Sequence, residues 1–327
     1  MKRFLQLVFG MLLAGFFTFL IVHQLNLNDF LVAFSGAAFE WILFGLIAFA
    51  FGYVFRIERW RIMLSRSNKS LSWQNCAGPF IASFALNNLI PFRAGDLLRI
   101  FGFNRQLDLS PGVIVATLFV ERLLDLFTLL IFLGAALMLF GLNANAIAGV
   151  SGAILFLIVL GIALLLLYPS LFSPLANFIG KIAQRISPKA GIKLTHEIEK
   201  GLEALKDLAR GGTMLSLLLW SLAAWIAEGG VFFGAACALP SISHQLAILL
   251  ALPIGTFATL IPSTPGYIGT FDYFTIRAMM AVGNEMPASA AFALLVHFML
   301  WLPPTIIGGL YLIFKPTKIQ LNGDLRR

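Results

Sequence analysis

Long apolar stretches, separated by short polar segments, make up most of the chain. Six of them are roughly 20 residues long, the length that a helix needs to cross the hydrocarbon core of a bilayer. They lie at 4–22, 38–55, 112–140, 147–168, 213–238 and 287–314. Two weaker apolar segments, 74–102 and 246–281, are interrupted by Pro and Gly. The pattern predicts an all-α integral membrane protein with about six transmembrane helices, since barrel strands would be about half as long and would alternate.

The composition also indicates that lipid is the main solvent. Of 327 residues, 59% are hydrophobic and only 12% are charged, whereas soluble proteins contain about 25% charged residues. The net charge of +8 does not indicate nucleic-acid binding, because the basic residues lie beside apolar stretches rather than on a separate soluble domain. We therefore expect membrane lipid as a partner and no nucleic acid.

The distribution of basic residues predicts the topology. The loops at 23–37, 141–146, 239–245 and 283–286 contain no Lys or Arg. The basic groups are Lys2 and Arg3, then Arg56, Arg59, Arg61, Arg66 and Lys69, then Arg93, Arg99 and Arg105, then seven residues within 181–210, and finally Lys315, Lys318, Arg326 and Arg327. Cytoplasmic loops are enriched in Lys and Arg. All these groups are cytoplasmic, together with both termini, only if each interrupted segment enters and leaves on the same side, as a re-entrant hairpin.

The two interrupted segments share a sequence pattern. Leu89-Ile90-Pro91 is followed by Gly95, and Leu260-Ile261-Pro262 is followed by Gly266 in the same spacing. Together with the topology, this repeat predicts one membrane domain over 1–327, with a first half at 1–140 and an inverted half at 147–314. Paired Gly/Pro-interrupted segments mark the central site of many transporters. The alternative is that each Pro only kinks a packed helix.

A polar insertion at 172–210 contains two amphipathic stretches that Pro188 separates. Apolar residues recur there at helical spacing, with Lys and Arg between them. Such helices commonly lie on a membrane surface and attract anionic lipid. We expect this insertion on the cytoplasmic leaflet.

Charged residues at membrane depth are costly, so they normally face a partner or a cavity. The candidates for substrate binding are Asn87, Arg93, Asp96, Arg99, Glu121, Arg122, Asp125, Glu228, Pro262, Gly266, Tyr267 and Asp272. Glu121, Arg122 and Asp125 share one helical neighbourhood, and an interfacial salt bridge is the alternative explanation for them. Glu228 has no cation nearby in sequence and needs a proton or a partner from another helix. His297, alone in its span, is predicted to be a hydrogen-bonded packing residue, with a proton relay as the alternative.

The sequence contains no P-loop, dinucleotide-binding, HExxH or GxSxG motif, and its four histidines are scattered. We therefore expect no cofactor, no metal and no catalytic residue of those kinds. A lipid-processing enzyme that uses Asp96, Glu121 and Asp125 at the cytoplasmic interface remains an alternative.

Four motifs together resemble the flippase-like membrane domain of the lysylphosphatidylglycerol synthase family. They are Arg56-x-x-Arg59-Trp60, Asn87-x-x-x-Pro91-x-Arg93-x-Gly95-Asp96-x-x-Arg99, Glu121-Arg122-x-x-Asp125 and Pro262-x-x-Pro265-Gly266-x-x-Gly269. The resemblance implies a bacterial or archaeal inner-membrane protein that moves phospholipid or polyprenyl-linked lipid between leaflets. It also implies no lipid aminoacylation, because the synthases carry that activity on a further soluble domain. Tyr267 stands where the resemblance leads us to expect Gly, and Asp272 stands where it leads us to expect Glu. These two departures bear on which lipid headgroup the protein would select.

The resulting prediction is a lipid transporter or flippase with a central polar site. Arginines would bind an anionic headgroup or lipid phosphate, because the guanidinium binds two oxygens while staying charged. The acidic residues, among them Asp96 for Arg93, would hold the arginines in place, or would exchange a proton if transport is coupled. The alternatives are a membrane-embedded lipid-processing enzyme and a non-transporting scaffold, and further partners would be a second copy of the chain or a lipid-synthesis enzyme.

Overall fold

The computed structural model describes residues 15–21, 23, 26–90, 93–145, 151–260 and 265–315. Within these ranges the secondary structure is helical and contains no strand. In chain order the helices are α1 (Leu27–Ala33), α2 (Phe39–Ser65), α3 (Trp73–Leu89), α4 (Ala94–Leu97), α5 (Pro111–Leu139), α6 (Gly152–Leu167), α7 (Ser173–Ile186), α8 (Pro188–Ala209), α9 (Thr213–Ala238), α10 (Ile248–Ala258), α11 (Thr270–Ala281) and α12 (Met286–Phe314). The predicted all-α class is confirmed.

Four of the described helices, α2, α5, α9 and α12, are long and apolar enough to cross a membrane. A fifth crossing is possible where α6 continues, after a bend of 96°, into the helix that follows it. The predicted span at 4–22 lies mostly outside the described residues, although 15–21 are helical. The protein is therefore embedded in a membrane and crosses it several times.

Helix α2 continues to Ser65, ten residues beyond the predicted end of its apolar stretch. Arg56 and Arg59 are not loop residues, as the topology argument assumed, but are 7% and 1% exposed within the helix. The assignment of Arg56 and Arg59 to a loop after the second span is therefore wrong. The arginines end the hydropathy signal, while Ile57, Trp60 and Leu64 continue the buried face of the same helix.

Serine side chains define where three of the helices begin. Ser72 accepts a hydrogen bond from the backbone of Asn75, Ser110 from Val113 and Ser151 from Ile154. Each serine oxygen thus binds one of the backbone N–H groups that the first helical turn leaves without an internal partner. These caps separate the spans from the preceding loops.

Both interrupted segments break their helices where the sequence predicts. Helix α3 ends at Leu89, and the chain then passes through Arg93, whose φ of 53° is left-handed, into α4. Helix α10 ends at Ala258, and Gly266 and Tyr267 have φ of 69° and 61° before α11 begins. Pro91 and Pro262 themselves lie outside the described residues.

The two ends of each interrupted segment are joined by an asparagine. Asn68 precedes α3, and its Nδ2 donates to the carbonyl of Leu107 at 3.0 Å, beyond the end of the first segment. Asn284 follows α11, and it accepts from the backbone N–H of His244 at 2.9 Å and donates to its carbonyl at 3.1 Å. Each segment therefore returns to the place where it started, as a hairpin does.

Helices α2 and α9 lie side by side in opposite directions. The start of α2 meets the end of α9, where the Ala38 N–H donates to the Ala238 carbonyl at 2.8 Å, and at the other end Arg66 donates to Thr213. Gly234 allows the close approach, because a Cβ there would lie 2.6 Å from the Trp41 carbonyl oxygen. The first hairpin follows the Arg66 end of this pair, and the second follows the Ala238 end.

The predicted insertion forms α7 and α8, which meet at Pro188. Helix α8 packs on α5, where Glu197 accepts a hydrogen bond from the Gly112 N–H at 2.8 Å. Ala204 and Leu208 are buried. The apolar side chains of α7 stay exposed instead, with Leu175 at 58% and Phe178 at 60%.

Candidate functional site

A cavity of about 350 Å³ lies where the two hairpins meet the long helices. Residues from α2, α3, α5, α9, α10, α11 and α12 line it, as do residues from both helix breaks. Its polar lining consists of Tyr53, Arg56, Asn87, Asn88, Arg93, Arg122, Asp125, Glu228, Thr256, Thr259, Tyr267 and His297, and its apolar lining includes Phe49, Phe84, Phe257 and Phe271. Four of the charged residues that the sequence analysis names as candidates therefore line one space, namely Arg93, Arg122, Asp125 and Glu228.

The tips of the two hairpins touch beside α12. Asn88 Nδ2 donates to the Trp301 carbonyl at 3.2 Å and to Thr305 Oγ1 at 2.9 Å. A Cβ on Gly266 would lie 2.7 Å from Trp301 Nε1 and 3.6 Å from the Asn88 carbonyl oxygen. The absence of a side chain at Gly266 lets the second hairpin come this close to the first.

Arg122 on α5 lies among three carboxylates. Its guanidinium nitrogens are 3.5 Å from Asp96, 3.6 Å from Glu121 and 3.8 Å from Asp125. These distances are longer than those of good charge-assisted hydrogen bonds. Because the Arg122 side chain is also 36% exposed, it keeps hydrogen-bonding capacity toward the cavity.

Arg99 and Glu121 form a pair behind the cavity rather than in its lining. Their side chains are 0% and 1% exposed, and they lie 3.0 Å apart. Ser83 Oγ accepts from Arg99 Nε at 2.8 Å. The guanidinium is also 4.3 Å from the centre of the Phe80 ring. This pair holds the first hairpin against α5, and Glu121 connects it to Arg122.

Two arginines of α2 bind the remaining carboxylates of the cavity. Arg59 Nη1 donates to Asp125 at 2.7 Å and to Ser221 at 2.8 Å. Arg56 binds Glu228 of α9 and lies over the Trp225 ring. The prediction that Glu228 needs a partner from another helix is thus met by Arg56, which the sequence analysis had assigned to a loop.

Arg93 differs from the other cavity arginines because it has no hydrogen bond or ion pair with any described residue. Arg93 and Asp96 form neither a hydrogen bond nor an ion pair with each other. Asp96 instead accepts from Asn87 Nδ2 at 3.2 Å and pairs with Arg122. Asn87 Oδ1 also accepts from the Gly95 N–H at 2.7 Å, so Asn87 and Asp96 stabilise the turn that carries Arg93.

His297 of α12 connects to the second hairpin. Its Nδ1 is 2.7 Å from Asp272 Oδ1, and its Nε2 is 2.9 Å from the Gly266 carbonyl oxygen. The other Asp272 oxygen accepts from the Gly269 N–H at 2.9 Å. The sequence analysis predicted a packing role for His297, but its ring also faces the cavity.

The structure separates the predicted site residues into two groups. Seven line the cavity, namely Asn87, Arg93, Arg122, Asp125, Glu228, Gly266 and Tyr267. Four others lie behind the lining: Asp96 and Glu121 pair with Arg122, Asp272 pairs with His297, and Arg99 pairs with Glu121. Pro262 lies outside the described residues.

Sequence reasoning missed Tyr53, Arg56, Trp225 and Trp301 as lining residues. For Arg56 a signal was available, because apolar residues at helical spacing continue past it to Leu64. For the aromatic residues no such signal exists, since ordinary helix packing also places aromatic residues in spans.

Comparisons with known proteins find a matching family model and two relatives. A family model described as "Lysylphosphatidylglycerol synthase TM region" matches residues 4–308. The UPF0104 membrane protein PH1989 of Pyrococcus horikoshii is 23% identical over 342 residues, which cover 99% of this chain and 100% of that protein. The UPF0104 membrane protein MJ1078 of Methanocaldococcus jannaschii is 27% identical over 225 residues, which cover 66% of this chain and 86% of that protein. The family match includes every residue that lines the cavity.

Proposed function

The chain belongs to the lysylphosphatidylglycerol synthase TM region family, and on that premise we propose that it is a lipid transporter. The lipid would pass between leaflets with its anionic headgroup or phosphate in the central cavity. The observation that carries this proposal is Arg93 at the break of the first hairpin, which has no hydrogen bond or ion pair with any residue that the structure describes. It faces a cavity whose other charges are already paired.

The charges around the cavity favour an anion. Five arginines line it or lie directly behind it, namely Arg56, Arg59, Arg93, Arg99 and Arg122. Four carboxylates, Asp96, Glu121, Asp125 and Glu228, each pair with one of these arginines, and the fifth, Asp272, pairs with His297. Arg93 is therefore the arginine of this set that has no carboxylate partner among the described residues. In a site with little water, such a charge attracts a phosphate strongly.

The size of the cavity suits a headgroup better than a whole lipid. At about 350 Å³ it lies near the lower end of the range of ligand pockets, about 300–1,000 Å³. A headgroup with its phosphate fits such a space, while the acyl chains would remain in the bilayer. Movement of a lipid between leaflets requires this arrangement, in which the headgroup is in the protein and the acyl chains are in the bilayer.

The two hairpins supply a route for alternating access. We propose that they belong to two halves related by inversion, with the first hairpin open to the side of the Arg66 loop and the second to the side of the Ala238 loop. The hydrogen bonds that join the ends of each hairpin support this arrangement. Transporters with inverted halves commonly bind substrate between two broken segments.

Reconstitution tests the proposal. Purified protein is placed in liposomes that contain fluorescent phospholipid, and a membrane-impermeant quencher reports how fast the label reaches the outer leaflet. A transporter moves the label and leaves the lipid chemically unchanged. Modified lipid would indicate the enzyme alternative, and neither movement nor modification would indicate the scaffold.

Arg93→Lys tests the residue that carries the proposal. Lysine keeps the charge but loses the two parallel hydrogen bonds of a guanidinium, and one charge-assisted bond contributes about 1.5–3 kcal/mol. We expect transport to fall by about tenfold or more. Arg66→Lys is the matched control, since Arg66 is exposed and outside the cavity, and it should transport normally. Full activity of Arg93→Lys at normal protein levels would remove Arg93 from the mechanism.

A further inference from the structure

The hydrogen bonds of His297 fix how many protons its site holds. The Gly266 carbonyl can only accept, so the Nε2 that lies 2.9 Å from it must carry a hydrogen. An ionised Asp272 can also only accept, so the Nδ1 that lies 2.7 Å from it must then carry a hydrogen too. If Nδ1 carries none, the carboxyl group of Asp272 must be protonated and donate to it. In either arrangement the pair holds one proton more than a neutral imidazole and a carboxylate.

The arrangement without this proton is unfavourable in the observed geometry. A neutral imidazole that donates from Nε2 would direct the lone pair of Nδ1 at a carboxylate oxygen only 2.7 Å away. Asp272 cannot turn away freely, because its second oxygen accepts from the Gly269 N–H at 2.9 Å. The proton is therefore required by the contact with Gly266.

Movement of the turn at 265–269 would change this requirement. Without the Gly266 carbonyl, Nε2 no longer needs a hydrogen. The imidazole can then donate from Nδ1 to an ionised Asp272 and leave Nε2 unprotonated. The Nε2–H bond breaks and its proton leaves for water. Where Asp272 holds a proton as its carboxylic acid, that proton moves to Nδ1, so the O–H bond breaks and an N–H bond forms. Because His297 lines the cavity and its side chain is 13% exposed, the proton has a way out.

We propose that His297, Asp272 and the Gly266 carbonyl form a proton-binding site whose proton holds the second hairpin in place. Release of the proton accompanies displacement of the turn at 265–269. If the chain is a transporter, as proposed above, this site couples the hairpin to a proton. The coupling to lipid rests on that proposed function, whereas the proton-binding site does not.

Other charged and titratable groups face the same cavity. They are Tyr53 and Arg56 of α2, Arg93 of the first break, Arg122 and Asp125 of α5, Glu228 of α9 and Tyr267 of the turn. On α11, Arg277 lies over the Tyr273 ring. The carboxylates among them are paired with arginines.

Proton count is measured on the purified protein in lipid nanodiscs. The four histidines of the chain are labelled with ¹⁵N, and His297→Gln identifies the signal of His297. At neutral pH we expect either two protonated nitrogens on His297, or an infrared band of a protonated carboxyl that disappears in Asp272→Asn. A His297 with one unprotonated nitrogen, together with no such band, would overturn the proposal. This result does not depend on transport.

Hydrogen exchange tests the link to the hairpin. Protection of the backbone at 265–269 should fall in the wild type once the extra proton is removed at high pH. Asp272→Asn is the matched variant, since its amide can donate to Nδ1 and still accept from Gly269 without an extra proton. In this variant the hydrogen-exchange protection of the backbone at 265–269 should not depend on the protonation of the site formed by His297 and residue 272. Protection in the wild type that is independent of His297 protonation would contradict the coupling. Absence of lipid transport would contradict the proposed function alone.

Discussion

Arg93 has a backbone conformation that its side chain makes unfavourable. Its φ of 53° and ψ of 43° lie in the left-handed region, where a residue with a Cβ costs about 1–3 kcal/mol more than glycine. Such strain persists where the surrounding structure or the function requires it. Since the Arg93 side chain has no partner among the described residues, its retention there favours a role in binding.

Arg93→Gly separates backbone strain from function. Glycine relieves the strain, so the thermal midpoint of unfolding should stay the same or rise, while lipid transport and anion binding should be lost. Asp108→Gly is the matched control, because Asp108 also has a left-handed φ, of 50°, but is exposed and outside the cavity. That control should gain stability in the same way and transport normally. Loss of folding in Arg93→Gly would assign the residue a structural role.

Tyr267 illustrates what the resemblance could and could not predict at a single residue. A Gly was expected at this position, and its φ of 61° is of the kind that glycine adopts without strain. The structure thus gives a physical reason for the expected Gly. It also places the Tyr267 ring in the cavity lining, where it can influence which headgroup fits.

The buried Arg99 and Glu121 pair allows a second prediction at this scale. Glu121→Leu leaves the Arg99 charge without its partner in a site that is 0% exposed, and breaking a buried pair costs about 3–5 kcal/mol. The double variant Arg99→Met, Glu121→Leu removes both charges and should be more stable than the single variant. Thermal unfolding in detergent measures both. Equal midpoints for the single and the double variant would show that the charge itself is not the cause.

Helix boundaries near Pro and Gly were the most predictable features among the elements. The breaks after Leu89 and Ala258 lie at the repeated Leu-Ile-Pro pattern, although Pro79 and Pro253 are accommodated inside α3 and α10. The C-terminal end of α2 was not predictable in the same way. Hydropathy cannot distinguish an arginine in a loop from one that Asp125 or Glu228 pairs inside the protein, because the partner lies on another helix.

Gly95 determines how closely the limbs of the first hairpin pack. A Cβ there would overlap the Ser83 carbonyl oxygen and lie 2.8 Å from Asn87 Oδ1. Gly95→Ala should therefore displace α4 and the Arg93 turn, with strongly reduced transport and a lower thermal midpoint. Gly134→Ala is the control, since nothing lies within 4 Å of the Cβ it would add to α5. That change should be neutral or should stabilise the helix by up to about 1 kcal/mol. A Gly95→Ala variant with normal transport would contradict the importance of this packing.

At the scale of the whole molecule, the loops gather at two ends. Three loops without basic residues meet at one end, through the contacts of Ala38 with Ala238, Ser241 with Ala33, and Asn284 with His244. Loops from the basic groups meet at the other, through the contacts of Arg66 with Thr213, Asn68 with Leu107, and Glu197 with Gly112. The distribution of Lys and Arg thus indicated which loops lie at the same end of the molecule, although Arg56, Arg59 and Arg99 are buried.

The same grouping predicts which end faces the cytoplasm. Since Lys and Arg are enriched in cytoplasmic loops, the end that carries Arg66 and the helix α8 should lie inside. Single cysteines are introduced after replacement of Cys76 and Cys237 by Ala. Asn145→Cys and Glu285→Cys should react with an impermeant thiol reagent from outside the cell, whereas Ser67→Cys and Lys193→Cys should react only after the membrane is opened. All four positions are exposed, while the neighbouring Asn284 is unsuitable because it is only 4% exposed and bonded to His244. Labelling of position 193 from outside would reverse the orientation of the second half and contradict the proposed inversion of the two hairpins.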